Sequence, residues 1–192
     1  MIFLTVEPDP SPQQSPFDPD TKRGVGIFCP DRTVHSVLDV DPQGLVDLGM
    51  KGVILDLDNT LVLWHKEEIT EEIIAWLERV KAVGLKLCIL SNSVLSNRSE
   101  RIAERLECPN VRQARKPSNS GFRRAMNAMG TTPRTTAMIG DQMFTDILGG
   151  NRMRLFTIMV TPMNPKEFVY TRYVSRPPER LLLRYFRRRG QL

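Results

Sequence analysis

Asp56 and Asp58 close an otherwise apolar run, Val53-Ile-Leu-Asp-Leu-Asp-Asn-Thr-Leu-Val62. The apolar part reads as a fully buried strand, and carboxylates resist full burial unless they are paired or bind a metal. Two of them where a strand meets solvent therefore point to a site. Leu57 lies between them, so in an extended chain both carboxyls face one way. The arrangement suits a magnesium-assisted transfer with one carboxylate as nucleophile and the other handling protons. Two solvated acids at a strand end would give the same pattern in isolation.

Three further pieces follow in order. A second apolar run, Leu85-Lys-Leu-Cys-Ile-Leu90, ends in Ser91-Asn92-Ser93, small polar residues where another strand would stop. Arg115-Lys116-Pro117 precedes a helical pattern. Ala137-Met-Ile-Gly-Asp-Gln-Met-Phe-Thr-Asp146 is a third strand ending in Gly140-Asp141, with Asp146 five positions on. Carboxylate pair, hydroxyl, cation and carboxylate pair are together what binding a phosphate through a metal requires. Each has a plainer reading alone: Ser91 as a turn or cap, Lys116 as a solvated lysine, Asp146 as a helix-start acid serving the dipole.

In this order the four motifs resemble those of the haloacid dehalogenase-like superfamily. Ala114-Arg-Lys-Pro117 and Gly140-Asp-Gln-x-x-Thr-Asp-x-x-Gly-Gly-Asn-Arg152 look like the YqeG-type branch of its subfamily IIIA phosphatases, similar to the phosphatidylglycerophosphatases of that branch. The likeness covers roughly residues 30 to 190. It implies Asp56 as the nucleophile that forms an aspartyl-phosphate. Asp58 would protonate the leaving oxygen and then activate the hydrolytic water. An acid at this second position goes with the family's phosphatases, whereas its transport ATPases carry Thr there. Mg2+ would be held by Asp56, Asp141 and the backbone carbonyl of Asp58. The Ser91 hydroxyl and the Asn92 backbone amide would bind the phosphoryl oxygens, and Lys116 would stabilise the aspartyl group and the charge of transfer. Thr60 would orient Asp58 or simply buttress the turn. Asp146 would contact Lys116 or metal-bound water, or serve only the helix dipole. Arg115 stays unassigned between positioning Lys116 and reaching substrate.

The elements that must position these residues alternate. Strands are predicted near 52–57, 85–90, 110–113, 136–140 and 155–160, and helices near 42–48, 70–82, 97–107, 118–129 and 143–149. Ile69, Ile73, Ile74, Leu77 and Val80 keep helical spacing and would cover a sheet. Buried strands alternating with helices indicate an α/β fold with a doubly wound parallel sheet, the Rossmann-like form of the resembled superfamily. Ligands in such folds sit beyond the carboxyl ends of the strands, where the acidic and hydroxyl motifs fall. The gaps from Asp58 to the second strand and from Ser91 to Lys116 leave no room for a cap domain. Gly149-Gly150-Asn151-Arg152 reads as a C-terminal cap. Trp64 and Trp76 read as packing, and His35 and His65 lie too far apart for a zinc site.

A chain of 192 residues, 41% hydrophobic and 26% charged, suits one globular domain. No apolar stretch approaches the ~20 residues of a membrane span, and the N-terminus lacks the pattern of a secretory signal. Three cysteines without metal-ligand spacing suit a reducing cytoplasm. Residues 1–22, with Pro8, Pro10, Pro12, Pro16 and Pro19, read as a disordered arm; 23–171 would be the catalytic domain. The net charge of +5 resides in the tail: residues 172–192 hold seven Arg against one Glu, leaving −1 for the rest. Glu179 to Arg189 reads as a basic helix with Leu181, Leu182, Tyr185 and Phe186 on one stripe. It would lie on anionic lipid at the inner membrane face or pack its stripe on the domain. No recognised nucleic-acid module is present. The expected activity is a phosphomonoester hydrolase acting on phosphatidylglycerophosphate, a step of phospholipid biosynthesis. A phosphatase for small esters or nucleotides, and a silent binding module, stand as alternatives.

Overall fold

A computed structural model of the chain describes residues 22, 24–63, 66–93, 97–163, 182, 184–186 and 188. The proline-rich arm apart from Lys22, Trp64, His65 and most of the basic tail lie outside the described residues.

The strands are β1 (Arg32–Val34), β2 (Gly52–Leu55), β3 (Lys86–Leu90), β4 (Asn110–Val111), β5 (Thr136–Gly140) and β6 (Phe156–Val160). The helices are α1 (Pro42–Asp47), α2 (Glu71–Ala82), α3 (Arg98–Arg105), α4 (Asn119–Met129) and α5 (Leu148–Arg152). All strands pair in parallel, in the order β1-β6-β5-β2-β3-β4.

The strand period of two splits the core in two. Val53, Leu55, Leu87, Ile89, Ala137 and Ile139 face one layer, built from Leu45 of α1, Ile73, Trp76, Leu77 and Val80 of α2, and Ile102 of α3. Ile54, Cys88, Leu90 and Met138 face the other, built from Phe122, Ala125, Met126 and Met129 of α4 and from Met153 and Leu155. Helices cover both faces, as a doubly wound fold demands. Cys88 is fully buried in this second layer, where loss of hydration pushes its thiol up to about 12. Trp76 is a packing residue, its indole N–H donating to Val40 O at 2.8 Å.

Local chemistry explains the boundaries. Asp41 caps α1, accepting from the N–H groups of Gln43 and Gly44, with Pro42 at the first helical position. Thr70 caps α2 through Ile73 N–H. β2 is shorter than predicted because the chain turns after it: Leu61 N–H bonds Leu57 O, and Asn59 has φ +60°. β4 stops at Val111 because Gln113 adopts φ +48°.

Three expectations need correction. Ile74 is exposed, because it lies about 100° around the helix from the Ile73 stripe. Gly149 to Arg152 belong to α5 itself and do not cap it. A Cβ on Gly149 would stand 2.4 Å from the Phe122 ring and one on Gly150 2.6 Å from Thr157, so close packing sets these glycines. The edge strand β1 was not predicted; its three mostly exposed residues carry no buried period. It is pinned by Asp31, whose carboxylate accepts from Thr157 N–H and pairs with Lys22.

In the tail, Leu182 packs on Met143, Ile147 and Met159, and Phe186 is buried, while Arg184, Tyr185 and Arg188 are exposed. At least these two members of the apolar stripe are covered. No helix among the described residues is long and apolar enough to cross a membrane.

Candidate active site

β2, β3 and β5 are sheet neighbours, so their carboxyl ends share one edge. Asp56, Ser91 and Asp141 each directly follow the last residue of one of these strands. From β2 the chain runs outward to β3 and β4 and then returns to β5 on the other flank of β2. That reversal is the switch point where open α/β sheets bind ligands. The segments 56–70 and 91–97 that leave β2 and β3 are too short to fold into a covering domain.

Lys116 reaches the cluster from the loop after β4. Asn92 holds it at two points: its side-chain oxygen accepts from Lys116 N–H at 2.7 Å, and its amide donates to Lys116 O at 3.2 Å. Ala114 N–H donates to Ser91 O, and Arg115 takes φ +54°, so the loop folds back on the end of β3. The side chain of Asn92 thus secures Lys116, a role beyond the backbone amide considered from the sequence. Ser91 Oγ accepts from Ser93 N–H at 3.1 Å, leaving its own proton to donate elsewhere.

The Lys116 ammonium bonds Asp56 Oδ1 and lies 2.7 Å from Asp146 Oδ1. Asp146 sits in a π-helical turn, Met143–Ile147, ahead of α5, and its Oδ2 accepts from Gln142 N–H at 3.1 Å. Asp56, Lys116, Asp141 and Asp146 are all buried. Burial pushes the Asp56 carboxyl up to about 7; Lys116 opposes that rise, while Asp146 and Asp58 add to it. Burial disfavours the Lys116 charge, but Asp146 and Asp56 outweigh it and hold the ammonium above the ordinary lysine range.

One carboxylate of each of Asp56, Asp141 and Asp146 offers an oxygen within 4.8 Å of the others. Asp56 Oδ2 is buried and finds no hydrogen-bond donor among the described residues. A buried acceptor of this kind is costly unless something outside the chain satisfies it. An all-carboxylate set with one such oxygen fits a hard divalent cation, with Asp56 and Asp141 the natural ligands because Asp146 already holds Lys116 and an amide. A separate cavity of about 330 Å3, lined by Lys81, Lys86, Cys108 and Met129 among others, opens at the opposite ends of the strands.

Asp58 stands outside this cluster. Its Oδ1 accepts from Arg98 Nη1 at 2.5 Å. Thr60 is buried without a hydrogen-bond partner for its hydroxyl among the described residues, so it does not hold Asp58. Arg98 escaped the sequence reading: an arginine at a helix start carries no motif, and only the fold brings it to Asp58.

A doubly wound sheet carries a lysine-neutralised aspartate cluster at its switch point, an arrangement able to hold a cation and an anionic group beside it. The haloacid dehalogenase-like hydrolase model matches residues 62–154, a span that takes in Ser91, Lys116, Asp141 and Asp146 and begins after Asp58. The Bacillus subtilis (strain 168) protein described as "Probable phosphatase YqeG" is 38% identical over 166 residues, which span 86% of this chain and 95% of that relative. The chain belongs to the haloacid dehalogenase-like hydrolase family and is a phosphatase. An Arabidopsis thaliana protein, "Phosphatidylglycerophosphate phosphatase 1, chloroplastic/mitochondrial", is 30% identical over 172 residues; the match spans 84% of this chain and 49% of that one. An uncharacterized protein from Listeria monocytogenes serotype 4b shares the fold, with a TM-score of 0.51 and 21% identity over 70% of this chain and 98% of its own.

Proposed function

We propose that this phosphatase hydrolyses phosphomonoesters through an aspartyl-phosphate on Asp56, uses Mg2+, and acts on phosphatidylglycerophosphate. The carrying observation is the split environment of Asp56: one oxygen is held by Lys116, and the other is buried without a donor among the described residues. A carboxylate oriented through one oxygen is a pre-positioned nucleophile.

In this reading Lys116 fixes the attacking carboxylate and balances the charge added with the phosphoryl group. Ser91 donates its hydroxyl to the phosphoryl oxygens, beside the backbone N–H of Asn92. Asp58 gives a proton to the departing alcohol and later takes one from water. Asp146 keeps Lys116 in place. Asp56, Asp141 and the Asp58 carbonyl would hold the cation, which would supply electrostatic stabilisation of the phosphoryl group.

The lipid assignment draws support from the plant relative and from the carboxyl edge of the sheet, over which no covering domain lies among the described residues. Among the described residues, contact of the tail with an anionic surface would fall to exposed Arg184 and Arg188, since Leu182 packs on the domain and Phe186 is buried. We retain 23–171 as the catalytic domain.

The test is phosphate release from phosphatidylglycerophosphate in mixed micelles, with and without Mg2+, beside small phosphate esters. Mg-dependent release that favours the lipid and vanishes in Asp56→Asn is the expected result. Release from small esters alone would discard the lipid, and release by Asp56→Asn would discard the mechanism.

A further inference from the structure

Arg98 is the first residue of α3 and only 7% exposed. A cation at a helix N-terminus opposes the helix dipole, and burying it adds a desolvation cost. The guanidinium offsets both with three contacts. Nη1 donates to Asp58 Oδ1 at 2.5 Å, Nη2 to Leu63 O at 3.1 Å, and Nε to Lys66 O. Placement against local preference, with full compensation from one site, is the pattern of a functional position.

Two neighbours on the same helix separate the roles. Arg101 pairs with Glu67, and Arg105 donates to Glu67 O at 3.4 Å. The loop after Val62 is therefore fastened to α3 by contacts that do not involve Asp58. Among the described residues Arg98 alone grips the Asp58 carboxylate, and it does so through one oxygen. The other, Oδ2, has no hydrogen bond within the described chain, and the side chain is partly open to solvent.

We propose that Arg98 is the positioning residue of the general acid, holding Asp58 by Oδ1 so that Oδ2 faces the departing alcohol. The inference rests on the phosphatase mechanism proposed above. As Asp56 attacks phosphorus, the bond from phosphorus to the alcohol oxygen breaks and its electron pair stays on that oxygen. The proton this oxygen needs comes from Asp58. Arg98 touches neither substrate nor phosphorus and acts only through where it holds Asp58.

The readout is leaving-group dependence. An alkyl phosphate releases a strongly basic alkoxide and needs the proton; para-nitrophenyl phosphate releases a stable phenolate and scarcely does. Arg98→Gln should lower kcat on glycerol phosphate by about 100-fold or more, the range of general-acid contributions, and on the aryl ester by less than about fivefold. Arg98→Lys should recover part of the alkyl activity and keeps the test open should the Gln variant fail to fold. Arg101→Gln, which loosens the loop without touching Asp58, should change both substrates alike. In an Asp58→Asn background the Arg98 change should add nothing further on the alkyl ester. Equal losses on both substrates in the Arg98 variants, or no loss, would overturn the inference. Inactivity of the unmodified enzyme on every phosphate ester would instead remove the parent mechanism and this inference with it.

Discussion

The Asp146 carboxylate lies across the face of Gly140, so close that a Cβ there would stand 2.4 Å from Oδ2. Gly140 ends β5 and Asp146 lies within the following turn, Met143–Ile147, so the last residue of a strand makes room for the acid that holds Lys116. Its glycine identity follows from side-chain space. Gly140→Ala should displace Asp146 and reproduce the kinetic defect of Asp146→Asn, a fall of about 10- to 100-fold if such supporting partners behave here as in metal sites. Phosphate-release assays on both variants check this; a fully active Gly140→Ala would refute it.

Lys116 is buried between two acids, so its removal leaves uncompensated charge. Lys116→Met should destabilise the metal-free fold by about 3–5 kcal/mol and abolish turnover. Urea denaturation measures the first effect, and Mg2+ should return part of the loss by occupying the same carboxylates.

The raised Asp56 pKa carries a sign that can be tested. Its folded value of about 7 exceeds the ordinary 3.8. Between those values the folded chain keeps a proton that the unfolded chain has released. Stability from this group is therefore complete below about pH 4 and lost as pH rises through 7, up to roughly 4 kcal/mol at about 1.4 kcal/mol per unit. Metal-free melting temperatures should fall between pH 5 and 8, and the slope should flatten in Asp56→Asn. Mg2+ should raise the midpoint more at pH 8 than at pH 5. An identical slope in wild type and variant would count against the assignment.

Phe186 is buried although it lies in the basic tail. Phe186→Ala should cost about 3 kcal/mol, at the lower end for a buried phenylalanine, while Arg184→Gln and Arg188→Gln should leave stability within about 0.5 kcal/mol. Vesicle sedimentation of the arginine variants separates charge from packing: weaker binding to anionic vesicles is expected only if the tail's charge contacts lipid.

Much of this protein can be read from residue order. Apolar runs ending in Asp56, Ser91 and Asp141 specify buried strands with polar ends. Alternation with helices specifies a parallel sheet, and a parallel sheet places those ends together. The helical stripe Ile73, Leu77 and Val80 is legible for the same reason, since a fixed period implies a fixed face. β1 was not legible because three mostly exposed residues carry no buried period, and Gly149 and Gly150 misled because close packing and chain termination select the same residue type. The choice of Asp56 Oδ1 and Asp146 as the contacts of Lys116, its hold by Asn92, and the pairing of Asp58 with Arg98 belong to tertiary structure alone. They join residues 24 to 60 positions apart through atoms whose directions depend on loop geometry at Gln113 and Arg115. Sequence spacing determines which acids reach the edge of the sheet; the packing of loops between strands decides which oxygen meets a cation and which is left for the substrate.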